Sequence, residues 1–586
     1  MASLNFGAGL PNISDGAGVA PAPSSTDWRQ AVAAPRKHRT ARALVLVAVV
    51  GTVAAGGVAQ AGAETAPPPV TPTATSSLTP MQSDSVAALA TDTPSDTTSP
   101  TDSPTPSDTA TPSDPPSPTA TPTAPLPPTD PPTSAPARDL SPVIAAPTTY
   151  RVLGSPHRVP DSERPRFETR ATRVDGGVHD VSGVRMARVG GVLYDHPAFQ
   201  ATYGIANINS YQQTHDPLYL SRALLQADRL KTRHVDHGGG WFFPYGFPAA
   251  LPAHGIDERP PWYSEFAQGA ALSLFSRLAS LPALSDADRA TWRAAADATF
   301  ASFRVQPPGE RNGITVDRNG YLWLQEWPTT VPDDSFGGHA SAAYGIYDYW
   351  VLTGSSSAAK LWEGAAATLL HYAPVVRNVG WRSNYCATHS LPTPLDYQGH
   401  LVQHFMWYSW ILRDPRFAHW ADLFASDYPP MTSGSVHFSG GTYRLVRFSA
   451  TGHVVASRSM TVKASATYHA SNRAKIRNEV GFWFTMTTGP AAGWLVAESP
   501  SRDYLTGVHL LRHYDPARRM VLPWRVRVGY RFSGSGTPQG YRTVTRTADT
   551  PVTYDAWALM RGRYWVHLSS GPLAGYWIPD SGLYRP

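Results

Sequence analysis

Three observations predict a mainly α chain, an α/α toroid of helical hairpins, with a disordered N-terminal region before it and two small all-β repeat modules after it. Eight stretches between about residues 197 and 426 place apolar residues at helical spacing, and they fall into four pairs. Aromatic, glycine-rich segments separate the pairs, among them Gly238-Gly-Gly-Trp-Phe-Phe-Pro-Tyr-Gly246. After Pro430 the pattern turns to short alternating strands, and that pattern repeats.

Residues 1–42 read as a disordered basic tail that ends in Arg36-Lys-His-Arg39 and Arg42. The run 43–63 carries no charge and reads either as a signal peptide, with small residues at Ala59-Gln-Ala61, or as a signal-anchor transmembrane helix. Its positive flank stays inside and sends the rest outward, so the expected location is extracytoplasmic, secreted or anchored in the cell membrane. Residues 64–147 are rich in Pro, Ser, Thr and Asp. Such a composition buries too little apolar surface to offset chain entropy, which predicts a disordered linker. A formal charge of +5 over 586 residues is modest. With no basic stripe interleaved with aromatics, a nucleic-acid partner is excluded. The single cysteine, Cys386, excludes an internal disulfide framework and any cysteine-based zinc site.

The domain expected at 148–430 holds the helices. His215-Asp-Pro-Leu opens one of them, with Asp216 as N-cap, Pro217 at the first helical position, and Leu220, Leu224, Ala227 and Leu230 on one face. One helix precedes it, and others are expected at about 262–281, 285–303, 338–353, 357–372, 398–412 and 415–426. Between two of the pairs lies Asn319-Gly-Tyr-Leu-Trp-Leu-Gln-Glu-Trp-Pro-Thr-Thr330. Pro328 ends any regular element at Trp327. Glu326 and Trp327 therefore project from a connection on a rigid scaffold, where binding and catalytic groups tend to sit. Farther on, Val446-Arg-Phe-Ser449 matches Tyr530-Arg-Phe-Ser533, and Gly489-Pro-Ala-Ala-Gly-Trp494 matches Gly571-Pro-Leu-Ala-Gly-Tyr576. These matches predict β-modules at 436–500 and 520–582. Their Gly-Trp and Gly-Tyr-Trp ends resemble wall-binding SH3-like repeats, which implies a cell-wall polymer as a partner.

Five motifs follow one another at consistent distances: Pro261-Trp-Tyr-Ser-Glu-Phe-Ala-Gln-Gly269, Leu324-Gln-Glu-Trp-Pro328, Gly338-His-Ala-Ser-Ala-Ala-Tyr-Gly-Ile-Tyr-Asp-Tyr-Trp350, Gly380-Trp-Arg-Ser-Asn-Tyr385 and Asp396-Tyr397. Together they resemble the C-terminal domain of D-glucuronyl C5-epimerases, of an actinobacterial secreted type, over roughly residues 180–425. The resemblance implies a toroid that inverts C5 of D-glucuronate units in a uronic-acid-containing polysaccharide, giving L-iduronate without metal or cofactor. It further implies Tyr385 and Tyr397 as acid and base on opposite faces of the sugar, with Glu326 neutralising the substrate carboxylate. Trp327, Tyr263, Gln268, Asn207, Asn209, Arg382 and His339 are expected to bind substrate around them.

The chemistry accounts for the tyrosines. The C5 proton lies α to a carboxylate, so its removal places a second negative charge beside the first. One group must take the proton and another must return one on the opposite face. The family's loop pattern Glu-Glu-Tyr-Pro reads Gln325-Glu-Trp-Pro328 here. Indole has one N–H donor and no titratable proton, so Trp327 cannot exchange a proton with C5. Two other functions use the same residues: a glycan-binding surface protein with Trp327 as a stacking platform, and a uronate lyase that follows the same proton abstraction with loss of the C4 substituent. Structural roles compete as well, with Tyr385 and Tyr397 as core aromatics and Glu326 as a helix cap or a partner of Arg382. His400 and His404 stand at the spacing of a helical metal pair, but Leu401 fills the position of a zincin's glutamate and no third ligand is evident. The expected metal is none.

Overall fold

The computed structural model describes residues 137–138, 142–161, 164–166, 169–309 and 313–580. The basic tail 1–42, the apolar run 43–63 and most of the linker at 64–147 lie outside the described residues. Among the described residues no helix is long and apolar enough to cross a membrane.

Among the described residues eight α-helices fall in sequence order as α1 (Pro197–Thr214), α2 (Pro217–Arg233), α3 (Glu265–Ala279), α4 (Asp286–Ser302), α5 (Phe336–Thr353), α6 (Ser356–Val376), α7 (Leu395–Leu412) and α8 (Pro415–Asp427). Each odd-numbered helix packs on the even one after it, and α1, α3, α5 and α7 also pack in a row. The row is the inner layer: every residue of α3 is buried, whereas α2 buries only five. That contrast follows from composition, since α3 is apolar nearly all round and α2 only along one stripe. Asp216 caps α2 as the sequence predicts, accepting from the Leu218 N–H with Pro217 behind it. α3 and α5 meet through glycines: a Cβ at Gly269 would overlap the Ala342 backbone, and one at Gly345 would overlap Gly269.

Short β-hairpins fill the first two aromatic segments between the helical pairs. The one at Thr315–Arg318 and Tyr321–Leu324 turns through Asn319 and Gly320, at φ 56° and 81°. Positive φ at both central residues is the turn that matches the twist of a two-residue hairpin. The connection between helices is therefore a hairpin whose second strand delivers Gln325 and Glu326 to a defined place.

The described residues reach ahead of the boundary expected at 148. The Gln306 N–H donates to the Ile144 carbonyl at 2.7 Å, and the Ala146 N–H to the Arg304 carbonyl at 2.8 Å. Farther along, Arg164 (2.7 Å) and Arg277 (2.8 Å) both bind the buried Asp348 and fasten this leader to α3 and α5.

The mainly α expectation needs correction across the described residues, where helix (33%) and strand (30%) are nearly balanced. A seven-stranded sheet spans Gly434 to Leu505 and a six-stranded sheet spans Val508 to Pro579. The sequence repeat holds bond for bond. The Gly493 N–H donates to the Met486 carbonyl (2.9 Å) as Gly575 does to Leu568 (2.8 Å), and Gly452 to Ser449 (2.9 Å) as Gly536 to Ser533 (2.9 Å). The second sheet is no loose appendage. Tyr514, Met520, Leu522, Val552 and Tyr554 share one apolar core with the helices. The Trp410 indole N–H also donates to the His513 carbonyl at 2.8 Å, and Asp422 on α8 binds Arg512 at 3.0 Å. This sheet thereby braces α7, the helix that carries Tyr397.

Candidate active site

The first turns of α3, α5 and α7 and the segment 383–393 surround a recess with about 30 Å³ of free volume. Phe266, Phe336, Gly338, Tyr385, Tyr397 and His400 are among its walls. Three helix N-termini at one place favour an anion there.

Glu326 enters this recess from the Tyr321–Leu324 strand and is 8% exposed. Ser335 donates to its Oε2 at 2.6 Å and the Tyr385 hydroxyl at 2.9 Å. Ser335 stands at the N-cap of α5, yet its hydroxyl does not cap that helix and serves Glu326 instead. Gly338 makes room, because a Cβ there would overlap Oε2 and the Ser335 hydroxyl. Burial raises the Glu326 carboxyl to about 7, against the opposing pull of Ser335 and Tyr385. A carboxyl that titrates near neutrality suits general acid or base work.

Tyr385 is 5% exposed, and its ring centroid lies 5.6 Å from that of Tyr397. Burial, followed by the negative charge of Glu326, holds the Tyr385 phenol well above its usual range and therefore neutral. The Trp327 indole stacks on Trp262 at 5.3 Å, and Trp262 on Tyr245 at 3.9 Å. With 6% exposure it turns its N–H, 3.5 Å from the Tyr385 hydroxyl, toward the site. The ring is packed into the protein, which is not the arrangement of a stacking platform.

The family described as D-glucuronyl C5-epimerase C-terminus matches residues 239–412. This segment belongs to that family. No curated protein matches the chain. Solved structures similar to it include cellobiose 2-epimerase from Bacillus thermoamylovorans B4167, at 13% identity over 39% of this chain and 59% of that one, TM-score 0.29. A cellobiose 2-epimerase from Spirochaeta thermophila DSM 6192 overlaps at 15% identity over 40% and 59%, TM-score 0.30. A family 76 glycoside hydrolase from a bovine Bacteroides thetaiotaomicron strain overlaps at 13% identity over 34% and 39%, TM-score 0.23. The chain thus spans 59% of the cellobiose 2-epimerases it overlaps, and TM-scores this low carry no further argument.

Within the epimerase-family segment, Glu326, Tyr385 and Tyr397 come together, while the expected substrate-binding residues stand back from the recess. Gln268 accepts from the Phe243 N–H (3.0 Å) and donates to the Trp241 carbonyl (2.7 Å), tying α3 to the glycine-rich segment. Tyr263 packs edge-on against Phe242. His339 accepts from the Leu324 N–H and donates to the Ala365 carbonyl, both at 3.0 Å, and burial lowers it to about 4. Arg382 donates to the Thr393 carbonyl at 2.6 Å and is not the partner of Glu326. Ahead of the family segment, Asn209 donates to the carbonyls of Arg166 (2.6 Å) and Thr169 (2.9 Å), and Asn207 to that of Tyr203 (2.8 Å). These residues fix the elements that carry the site.

The two helix-spaced histidines both line the recess, and His404 Nδ1 meets the Tyr344 hydroxyl at 2.5 Å. Burial, then His400 and Arg166, hold His404 well below its usual range. Sequence reading missed Ser335, whose only signal was its place before a helix. It also missed the convergence of His254, Asp333, Cys386 and His389, whose donor atoms lie within 4.8 Å of one another. A lone cysteine does not exclude a site of mixed donors.

Proposed function

We propose that this protein is a polysaccharide uronate C5-epimerase whose helical hairpins form an α/α toroid. The observation that carries the reading is the Tyr385 hydroxyl donating to a buried Glu326 that titrates at about 7, with Tyr397 on the same recess. Tyr385 Oη takes the C5 proton while passing its own to Glu326 Oε2, and Tyr397 returns a proton on the opposite face. Exchange with water then restores Tyr397 and Glu326. In this scheme the helix N-termini take over the charge-neutralising role that the sequence reading gave to Glu326, since a carboxylate cannot neutralise a carboxylate. The Trp327 N–H steadies charge on the Tyr385 oxygen, which an indole can do without a titratable proton. The free volume of about 30 Å³ is far below the ~300–1,000 Å³ of ligand pockets, so a polymer enters only when the walls part.

The test is incubation of the full chain with a glucuronate polymer in deuterated water, read by NMR. Deuterium at C5 together with L-iduronate signals is expected, with turnover about 100-fold lower for Tyr397→Phe. Polymer binding without exchange would instead leave a glycan-binding protein, and an unsaturated product would reveal a lyase. The same reading puts the protein outside the cytoplasm, secreted or anchored through 43–63, with a cell-wall polymer held by the C-terminal sheets. Protein found wholly in the cytoplasm by cell fractionation would refute this placement.

A further inference from the structure

We propose that His254, Asp333, Cys386 and His389 form a structural zinc site that staples three connections beside Tyr385. The inference does not depend on the epimerase reading.

The donor spacing fits the ion. Zinc bonds to N, O and S of ~2.0–2.3 Å imply tetrahedral edges of roughly 3.3–3.7 Å. His254 Nδ1 and His389 Nδ1 lie 3.0 and 3.1 Å from Asp333 Oδ1, and 3.5 and 3.2 Å from Cys386 Sγ. These contacts are at or slightly inside those edges, so a small outward shift seats the ion.

Hydrogen bonding alone leaves one oxygen of the cluster, Asp333 Oδ2, unsatisfied. A neutral imidazole offers Nδ1 either as one N–H or as one lone pair. Each Nδ1 here faces both Asp333 Oδ1 and the Cys386 sulfur, and it can serve only one of them, while the Thr388 hydroxyl also reaches His389 Nδ1 (3.1 Å) and the sulfur (3.7 Å). Asp333 is 0% exposed, and its Oδ2 has no hydrogen-bond partner. An unpaired carboxylate oxygen buried this deeply is costly, and a cation removes the cost.

The donor set selects the metal class and the role. Two imidazoles, a thiolate and a carboxylate suit borderline-soft Zn²⁺ rather than Mg²⁺ or Ca²⁺, which take oxygen ligands. Four protein donors fill a tetrahedron and leave no open position, which makes the site structural. His254 comes from the turn Pro252–His254, Asp333 from the connection into α5, and Cys386 and His389 from the segment before α7. The His254 ring lies edge-on to Tyr385 at 5.0 Å, and the Phe336 N–H donates to the Tyr385 carbonyl at 3.1 Å. An ion here would hold Tyr385 in register with Glu326.

The experiment strips the full chain with a chelator, re-equilibrates it with zinc alone, and measures bound metal by mass spectrometry. About one zinc per chain is expected, with a rise in melting temperature on re-addition. Cobalt in its place should give visible bands of tetrahedral intensity and a near-ultraviolet thiolate charge-transfer band. Cys386→Ser should remove that band, and His389→Ala should bind zinc at least about tenfold more weakly. His389 has the most exposed side chain of the four, at 31%, and so is the substitution least able to disturb folding. If Cys386→Ser fails to fold by near-ultraviolet circular dichroism, the cobalt spectrum of the unaltered chain and the His389→Ala titration decide. An unaltered chain that retains no zinc at micromolar free ion, or zinc held equally by His389→Ala, would overturn the proposal.

Discussion

Glu326→Gln tests whether the buried carboxyl is what the geometry makes it. In the folded protein the carboxyl moves from the ordinary 4.5 to about 7, chiefly by burial. Because the folded pKa is raised, the folded state keeps a proton that the unfolded chain has released. Stability from this group is therefore complete below about pH 4.5 and is lost as pH rises through about 7. At ~1.4 kcal/mol for each tenfold change in proton concentration, the loss amounts to about 3 kcal/mol. Glutamine keeps an oxygen for the Ser335 and Tyr385 hydroxyls and does not titrate, so its effect on stability is a constant offset. Urea unfolding of both proteins, followed by near-ultraviolet circular dichroism at steps between about pH 4.5 and 8, isolates the difference. Other raised carboxyls, such as Glu265 at about 8, are common to both proteins and cancel. The advantage of the glutamine variant should grow by about 3 kcal/mol across the window and level off above about pH 7.5. A difference that stays flat would mean that Glu326 is hydrated, and the proton relay would fall with it.

Two further outcomes follow from close contacts. Asp348→Asn leaves Arg164 and Arg277 without their buried counter-charge and should cost about 3–5 kcal/mol in urea unfolding; a cost under about 1 kcal/mol would show that the leader is not fastened there. Gly338→Ala drives a methyl into Glu326 Oε2 and the Ser335 hydroxyl, and should cost about 1–3 kcal/mol along with C5 exchange. Gly337→Ala is the control, since a Cβ there would rest 3.8 Å from the Tyr397 ring, and equal destabilisation by both changes would refute the argument.

What the sequence determined is what local periodicity and short motifs encode. All eight helices among the described residues were readable, because apolar residues recur every three to four positions and caps such as Asp216 mark the ends. The β-repeat was readable because matched glycines impose the same turns twice. The family was readable because its motifs are contiguous, and they named Glu326, Tyr385 and Tyr397, which one recess unites. Tertiary structure decided the rest. Whether Trp327 shows its face or its edge depends on Trp262 beneath it, and no local pattern encodes that neighbour. The rise of Glu326 to about 7 comes from the density of apolar atoms that other segments bring around it. The second sheet's share of the helical core, and the meeting of His254, Asp333, Cys386 and His389, likewise depend on how distant segments pack. A sequence states which face of an element is apolar; which neighbour that face meets is a property of the whole fold, because packing energy is shared among residues far apart in the chain.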